Sequence, residues 1–479
     1  IGFRGNTVFE DPELRQGLKM QEGEIFQRQK IRDEITRLKD LYGSKGYAFA
    51  DVSPNVNPNM EDRTATIILT IKEGEMMRIR QININGNEKT KDNVIRREIR
   101  VDEQDVIDTP ALKRSFQRLN NLNFFETVEI LPEQVAVDKV DLNVRVKEKP
   151  TGQFSIGGGF STLDKLVAIA DITEGNIGGN GWMGRIRGQL GQERQLGLIT
   201  FRNPYLNDSL TSLQLDLFRS ATNYVTYYEK KTGGSVTFGR WFSEYVSGSV
   251  SLFAEEIKYS DPQVNAPQLI LNQIGNQTTT GFRLSLTRDT RDFHMDPRSG
   301  WRTSGAFAVG TPYLGGTNDF YKYTLDVNKY TPLPFDTRLS VRARYGVVTG
   351  LNTEGENKPV PLTELYFVGG INTMRGFVFG KAGPVSTSNT LLGAASELIF
   401  NFDYIFTISE EAKLNGDIFF DYGKGFAGDS VSTPLRSAAG FEGRWISPFG
   451  PLRAAYGINL DPNEGERKGV FEFTIGQIF

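Results

Sequence analysis

The stretch Leu339–Val347, LSVRARYGV, decides the fold. Leu339, Val341, Ala343 and Tyr345 fall on one side of an extended chain, while Arg338, Ser340, Arg342 and Arg344 fall on the other. Neighbouring side chains of a strand point to opposite faces, so one face is apolar and the other charged. The pattern recurs in YKYTLDVN, which sets Tyr321, Tyr323, Leu325 and Val327 against Lys322, Thr324, Asp326 and Asn328. It recurs again in VSGSVSL (Val246, Val250, Leu252 outward) and WMGRIRGQL (Trp182, Ile186, Leu190 outward). A soluble sandwich also alternates. Here the polar face carries full charges and the strand ends are rich in Tyr, Phe and Trp, which together predict a transmembrane barrel with lipid outside and a polar lumen. Counting alternating segments gives about 16 strands from Gln153 to Phe479, an even number as single-chain bacterial barrels require.

Composition narrows the chemistry. The chain has 479 residues, no Cys and one His, with a formal charge of −3. Absent cysteine removes thiolate metal sites, disulfides and thiol nucleophiles, and a lone His294 makes no zinc site. The charge gives a nucleic-acid partner no support. No run approaches the roughly 18 apolar residues of a membrane helix. The opening, IGFRGNTVFE, reads as the middle of a folded unit, so the expectation is that a signal peptide and further domains precede it.

Residues before about 150 follow a different grammar. IGFRGN opens the chain, and ININGN (Ile82–Asn87) repeats it about 81 residues later. An amphipathic helical stretch follows each copy, RQKIRDEITRLKDLYGSKGY and TPALKRSFQRLNNLNFF. Alternating strands then close each copy and end on Lys72-Glu73 and Lys147-Glu148. A repeat of this order predicts two small tandem α/β units, 1–75 and 76–150, ahead of a barrel over 151–479.

If those units lie on the periplasmic side, odd-to-even barrel connections lie outside the cell and even-to-odd ones inside. The short connections at 243–245, 330–336 and 447–450 are even-to-odd, and the long ones near 259–278 and 348–392 are odd-to-even. Short periplasmic turns and long external loops are the rule for such barrels. The longest loop carries INTMRGFVFGKAGP, with a single arginine, Arg375. Outward Leu398, Phe400 and Phe402 turn Glu397 into the lumen, and outward Leu414, Ile418 and Phe420 turn Asp417 and Asp421 inward. A loop folded back into the barrel brings its guanidinium to these carboxylates, and bidentate pairing suits a confined, dry site.

The segment Met374-Arg375-Gly376-Phe377 resembles the Val-Arg-Gly-Phe/Tyr signature in the sixth loop of the BamA superfamily, which also includes two-partner secretion translocators and organelle import barrels. The tandem units resemble POTRA domains. Thr287–Trp301, TRDTRDFHMDPRSGW, resembles the family's Arg-Asp…Pro-x-x-Gly segment, here Arg288, Asp289, Arg291, Asp292, Pro297 and Gly300. SPFGPLRAAYG and GVFEFTIGQIF resemble the family's last two strands. The match covers essentially the whole chain, and Met374 departs from the usual β-branched residue. The resemblance implies that Arg375 inserts into the lumen and pairs with Glu397 and Asp421, with Asp417 nearby.

The acids of TRDTRD alternate with Arg288 and Arg291, so neutralisation at a barrel rim accounts for them without acid–base catalysis. NIGGNGWMGR lacks the Gly-Lys-Ser/Thr ending of a phosphate loop. The expectation is a non-enzyme without cofactor or metal. A seam is expected where the first strand (Ser155, Gly157, Gly158, Gly159) meets the last (Phe473, Ile475, Gly476, Phe479). Interior glycines weaken a strand, and the resemblance makes Gly476 a bending point. What the resemblance implies is an ATP-independent insertase of the bacterial outer membrane. Its partners would be unfolded β-barrel substrates, assembly lipoproteins met by the POTRA domains, and outer-membrane lipid. A TamA-like or two-partner-secretion translocator shares the architecture; a porin needs neither the α/β repeats nor the plug.

Overall fold

The computed structural model describes residues 1–162, 164–224, 226–264, 266–293, 296–351, 359–386, 389–447 and 450–475. It divides into two compact units, Ile1–Thr151 with Gly175–Gly181, and Gly152–Glu174 with Trp182–Phe479.

The first unit holds the two repeats. One is β1 (Gly2–Arg4), α1 (Asp11–Arg15), α2 (Arg28–Gly43), β2 (Asp51–Asn59) and β3 (Thr64–Lys72). The other is β4 (Arg78–Asn85), α3 (Asp92–Arg96), α4 (Thr109–Asn121), β5 (Phe125–Ala136) and β6 (Lys139–Glu148). Each has a three-stranded sheet with its last strand central, β1-β3-β2 and β4-β6-β5. Helix α2 buries Ile31, Glu34, Leu38 and Tyr42 at helical spacing. Helix α4 starts where Asp108 accepts the Ala111 N–H at 3.0 Å, and buries Leu112, Ser115 and Leu119.

The repeated Gly-Asn and Lys-Glu prove to be one device. Gly5 (φ +84) and Gly86 (φ +89) lie on the closing strand so tightly that a Cβ would stand 2.4 Å from the Ile71 carbonyl oxygen and 2.0 Å from that of Val146. Asn6 and Asn87 each donate to a carbonyl three residues on, both at 3.0 Å. Glu73 accepts the N–H groups of Thr7 (2.6 Å) and Val8 (2.9 Å), and Glu148 those of Lys89 (2.9 Å) and Thr90 (2.6 Å). The glutamate that ends each sheet thus ties down the loop that leaves its first strand. Gly175–Gly181 joins this unit through Gly179, whose carbonyl accepts the Lys91 N–H at 2.9 Å.

The second unit is the barrel. Its first eight strands are β7 (Gly152–Ser161), β8 (Lys165–Ile177), β9 (Trp182–Gly191), β10 (Arg194–Asn203), β11 (Thr211–Asn223), β12 (Tyr228–Trp241), β13 (Val246–Ser260) and β14 (Gly275–Asp289). The rest are β15 (Gly300–Gly310), β16 (Phe320–Leu333), β17 (Thr337–Gly350), β18 (Ser396–Ser409), β19 (Leu414–Phe426), β20 (Arg436–Ser447), β21 (Gly450–Asn459) and β22 (Gly469–Ile475). These sixteen strands follow chain order, and β22 returns to β7. The architecture is two α/β repeats followed by a sixteen-stranded antiparallel barrel.

Burial runs inside out. Leu284, Leu286, Ile418, Phe420 and Phe441 are exposed, while Ser340, Asn401, Asp417, Asp421 and Glu442 are buried. Covering one such large apolar side chain is worth about 1.5–3 kcal/mol, so the outer band demands an apolar solvent. No helix among the described residues is long and apolar enough to cross a membrane. A closed sheet satisfies its backbone between strands and crosses lipid without one. The expected alternation holds for the connections 242–245 and 334–336, which are short, and 261–274 and 351–395, which are long, with β16 running on to Leu333. It fails where 162–164 and 192–193 are short odd-to-even connections and 204–210 and 290–299 are longer even-to-odd ones. The turn expected at 447–450 lies partly outside the described residues. Pro332 stands opposite Arg338 near the strand end, where a missing N–H is tolerated.

Candidate functional site: the lumen anchor and the strand seam

The loop between β17 and β18 folds back against the lumen wall. Met374 and Phe377 are buried in an apolar cluster with Val368, Ala382, Ile399 and Ala438. Gly376 (φ +83) permits the turn between them, and it packs backbone to backbone on β21. A Cβ on Gly457 would lie 2.3 Å from the Gly376 nitrogen. The loop motif thereby presents Arg375 to β18, β19 and β20.

Arg375 is 4% exposed. Asp421 takes its Nε at 3.0 Å, its Nη2 at 2.7 Å and its backbone N–H at 2.8 Å. Nη2 also reaches Asp403 at 2.6 Å, and Nη1 reaches Glu442 at 2.9 Å and Asp417 at 3.3 Å. The guanidinium carbon stands 3.8 Å from the ring centre of Phe419, a cation–π contact on its remaining face. Asn401 steadies the set by donating to Thr373 O and Asp421 Oδ1, both at 2.8 Å.

Two further arginines share the carboxylates. Arg444 donates to Asp417 at 2.6 Å and Glu442 at 2.8 Å, and Arg453 to Glu442 at 2.5 and 2.9 Å. Three guanidiniums therefore face four carboxylates. In a low-dielectric interior each unpaired charge is costly, so the set is stable only when the loop supplies Arg375. A cavity of about 680 Å³ adjoins it, bounded by Asp296, Pro297, Asn372, Arg375 and Thr474 among others.

Sequence reasoning named Asp417 and Asp421 and missed Asp403 and Glu442. Both carried a signal: Asp403 shares the lumen-facing parity of Glu397, and Glu442 alternates with exposed Phe441. Glu397 is not in the set. It is buried 4.0 Å from Arg344, which with Arg342 also pairs with Asp326. The distance along the wall explains this, because six residues of strand span about 20 Å.

The turn after β14 differs in detail from charge alternation. Arg291 forks onto Asp289 at 2.9 and 2.8 Å. Asp292 instead caps the N–H groups of Phe293 and Arg298, both at 2.9 Å. Arg288 is exposed on the same face as Leu284 and Leu286, outside this network. Pro297 is buried, and Gly300 (φ +107) passes where a Cβ would lie 2.4 Å from the Thr290 carbonyl oxygen. His294 lies outside the described residues.

The strands β22 and β7 meet at the seam. Among the described residues β22 and β7 pair at one position, Thr474 opposite Ser161. The Thr162 N–H donates to Phe473 O at 3.1 Å, and the rings of Phe160 and Phe473 stack at 5.1 Å. The next shortest ladder, β21 with β22, covers seven positions from Leu452 to Ile458. β7 pairs with β8 along its whole length, yet residues 152–158 are exposed, Ser155, Gly157 and Gly158 among them; Gly159 is half-buried. A Cβ on Gly157 would meet nothing within 4 Å, so packing does not require glycine there. The pairing observed, Thr474 with Ser161, lies at the far end of β7 from Ser155. Gly476 and Phe479 lie outside the described residues.

Comparison with known proteins places this geometry. Residues 176–479 match the Omp85 superfamily domain, and residues 1–74 and 77–149 match the POTRA family, described as a surface antigen variable number repeat. An outer membrane protein assembly factor BamA of Nitratidesulfovibrio vulgaris is 29% identical over 100% of this chain and 61% of its own length. The BamA of Neisseria meningitidis is 26% identical over 98% of this chain and 65% of its own. The chain thus spans less than two thirds of these relatives. The crystal structure of BamA from Haemophilus ducreyi lacking POTRA domains 1–3 shares the fold, with a TM-score of 0.77 at 23% identity over 99% of this chain and 98% of that one. CdiB from Acinetobacter baumannii is a more distant likeness, with a TM-score of 0.57 at 14% identity over 99% and 88%. The chain belongs to the Omp85 superfamily.

Proposed function

We propose that this chain is the barrel-bearing part of an assembly factor that inserts β-barrel proteins into the bacterial outer membrane. It works without ATP, at the seam between β7 and β22. The observation that carries the reading is that, among the described residues, those strands pair at one position beside an exposed β7. A strand edge offers unpaired N–H and C=O groups that lipid cannot satisfy, so an incoming strand gains main-chain hydrogen bonds there. Relatives named as BamA match along the whole chain, and the CdiB likeness supports a translocator less well. The POTRA units face the periplasm in this reading, where their sheet edges receive extended substrate and their surfaces meet partner lipoproteins. The turn carboxylates serve ion pairing and N–H capping, which leaves them no acid–base role.

These 479 residues contain no cysteine, so an introduced pair meets no other thiol among them. Ser161→Cys with Thr474→Cys in the full-length protein places thiols at directly opposed positions. With the resident copy depleted, oxidation is expected to stop insertion of unrelated outer-membrane barrels and reductant to restore it. A verified crosslink that leaves insertion intact rules the seam out. An unlocked protein that cannot replace the resident copy favours a dedicated translocator.

A further inference from the structure

The motif of the inserted loop serves a second arginine. Arg436 opens β20 with the lumen-facing parity of Glu442 and Arg444, and is 8% exposed. Its guanidinium carbon stands 4.5 Å from the ring centre of Phe377, the last residue of the motif. Nη1 donates to Lys381 O of the same loop at 3.2 Å. The remaining bonds leave the loop. Nη1 reaches Glu466 at 2.9 Å, and Nη2 reaches Asp461 O at 2.9 Å and Glu466 as well. Asp461 and Glu466 belong to the connection 460–468, which joins β21 to β22. One guanidinium therefore holds two segments that are far apart in the chain.

The connection cannot order itself by burial. Its sequence, LDPNEGERK, has Leu460 as its one large apolar side chain, and Leu460 is exposed. What shapes it is hydrogen bonding to two carboxylates. Besides Arg436, Glu466 accepts from Asn459 Nδ2 at 3.2 Å, the Asn463 N–H at 3.0 Å and Asn463 Nδ2 at 3.3 Å. Asp461 accepts the Ser437 N–H at 2.9 Å. A forked arginine–carboxylate pair is roughly twice as strong as a neutral bond, so Arg436 is the firmest of these ties. A guanidinium stacked on an aromatic face has its fork aimed in advance. Here that face is Phe377, and it is in place only when the loop lies in the lumen. Arg375 reaches from the loop to the wall, and Arg436 from the wall to the loop.

We propose that Arg436 is a positioning residue that couples the inserted loop to the connection 460–468, so that this exposed connection is ordered while the loop occupies the lumen and loosens when it does not. The coupling is reciprocal, because order in 460–468 also favours the inserted loop. Phe377 then has a task beyond filling the apolar cluster: it is the platform that aims Arg436. The inference stands on this geometry alone and does not depend on where a substrate is inserted.

Trypsin supplies the probe, because Arg467 and Lys468 of the connection are exposed. The rate of cleavage after either one, in the folded full-length protein, follows how often the connection opens. Arg436→Ala is expected to speed this cleavage about tenfold or more, and Glu466→Gln to speed it less, while the heat-modifiable gel shift of the barrel stays native. The deciding variant is Phe377→Leu, which changes the inserted loop and leaves 460–468 untouched. It is expected to speed cleavage about threefold or more in the native background, and to add nothing once Arg436 is alanine. Phe377→Tyr keeps the ring and should cleave at the native rate. A Phe377→Leu variant that cleaves at the native rate overturns the coupling, and so does an equal increment in both backgrounds. A native rate in Arg436→Ala overturns it too. If Arg436→Ala does not fold, Arg436→Lys supplies the second background, since it keeps the charge and loses the fork. The Phe377→Leu increment should then shrink, and an undiminished one counts against the proposal.

Discussion

At the scale of single residues, the lumen anchor depends on geometry as much as charge. Arg375 gives a fork and a backbone N–H to Asp421 and still reaches three more carboxylates. Lysine is a point charge with a flexible stem and cannot reproduce that fork. Arg375→Ala leaves buried carboxylates uncompensated and is expected to cost about 3–5 kcal/mol of barrel stability. Arg375→Lys should fall between that variant and the native chain. Urea titration of the vesicle-embedded barrel, followed by its heat-modifiable gel shift, ranks the three; equal midpoints for Arg375→Lys and native protein would refute the geometric argument. Gly457→Ala offers a second check, because its Cβ would collide with the Gly376 backbone, 2.3 Å away, rather than with a movable side chain. It should expose Arg375 to trypsin while leaving the strands intact, and a protected Arg375 would count against the close packing described here.

At the scale of elements, the two capping glutamates give the POTRA repeats a common pH response. Burial by itself pushes both carboxyls up, but hydrogen bonds from Thr7 and Val8 to Glu73, and from Thr90 and Lys89 to Glu148, outweigh it. Both end below the ordinary value of 4.5. A carboxyl lowered in the folded state stabilises the fold above its unfolded value, and that stability is lost as pH falls through the folded one. Protection factors for hydrogen exchange at residues 5–10 and 86–91 of the full chain, taken against the intrinsic rate at each pH, should therefore fall on acidification below about pH 4.5. Glu73→Gln and Glu148→Gln should each flatten the response in their own repeat only. The cost at neutral pH is about 1 kcal/mol each, the low end for a charged acceptor because both sites are partly exposed. A response unchanged by both substitutions would assign the acid sensitivity elsewhere.

At the scale of the whole molecule, strand periodicity made the barrel legible, since an apolar face opposite a charged one has few other uses. The lumen set was half legible. Alternation says which face Asp417 and Asp421 occupy, but not at what height along the barrel, and that is why Glu397 was expected in place of Asp403. Height depends on the stagger between strands, a property of the closed sheet that no single strand encodes. The Pro332 extension was hidden for a related reason: a proline reads as a turn until its strand neighbours are known. The seam is visible only in register. It makes a further prediction, that alternate N–H groups of residues 152–158, those facing away from β8, exchange much faster than their neighbours. Uniform protection along β7 in membrane-embedded protein would mean the strand is fully paired.

The four carboxylates around Arg375 also constrain the order in which this molecule builds itself. The loop is made before β19 and β20, so Asp417, Asp421 and Glu442 reach their places after the arginine they need. A barrel that closed with the loop left outside would leave those carboxylates crowded together on the lumen wall with only Arg444 and Arg453 to answer them. Such a by-product lacks the ion pairs and hydrogen bonds that Arg375 brings, and is disfavoured by their loss. The plug thus acts as a checkpoint on its own enclosure: the molecule carries, at its centre, a test that its barrel was built around the right thread.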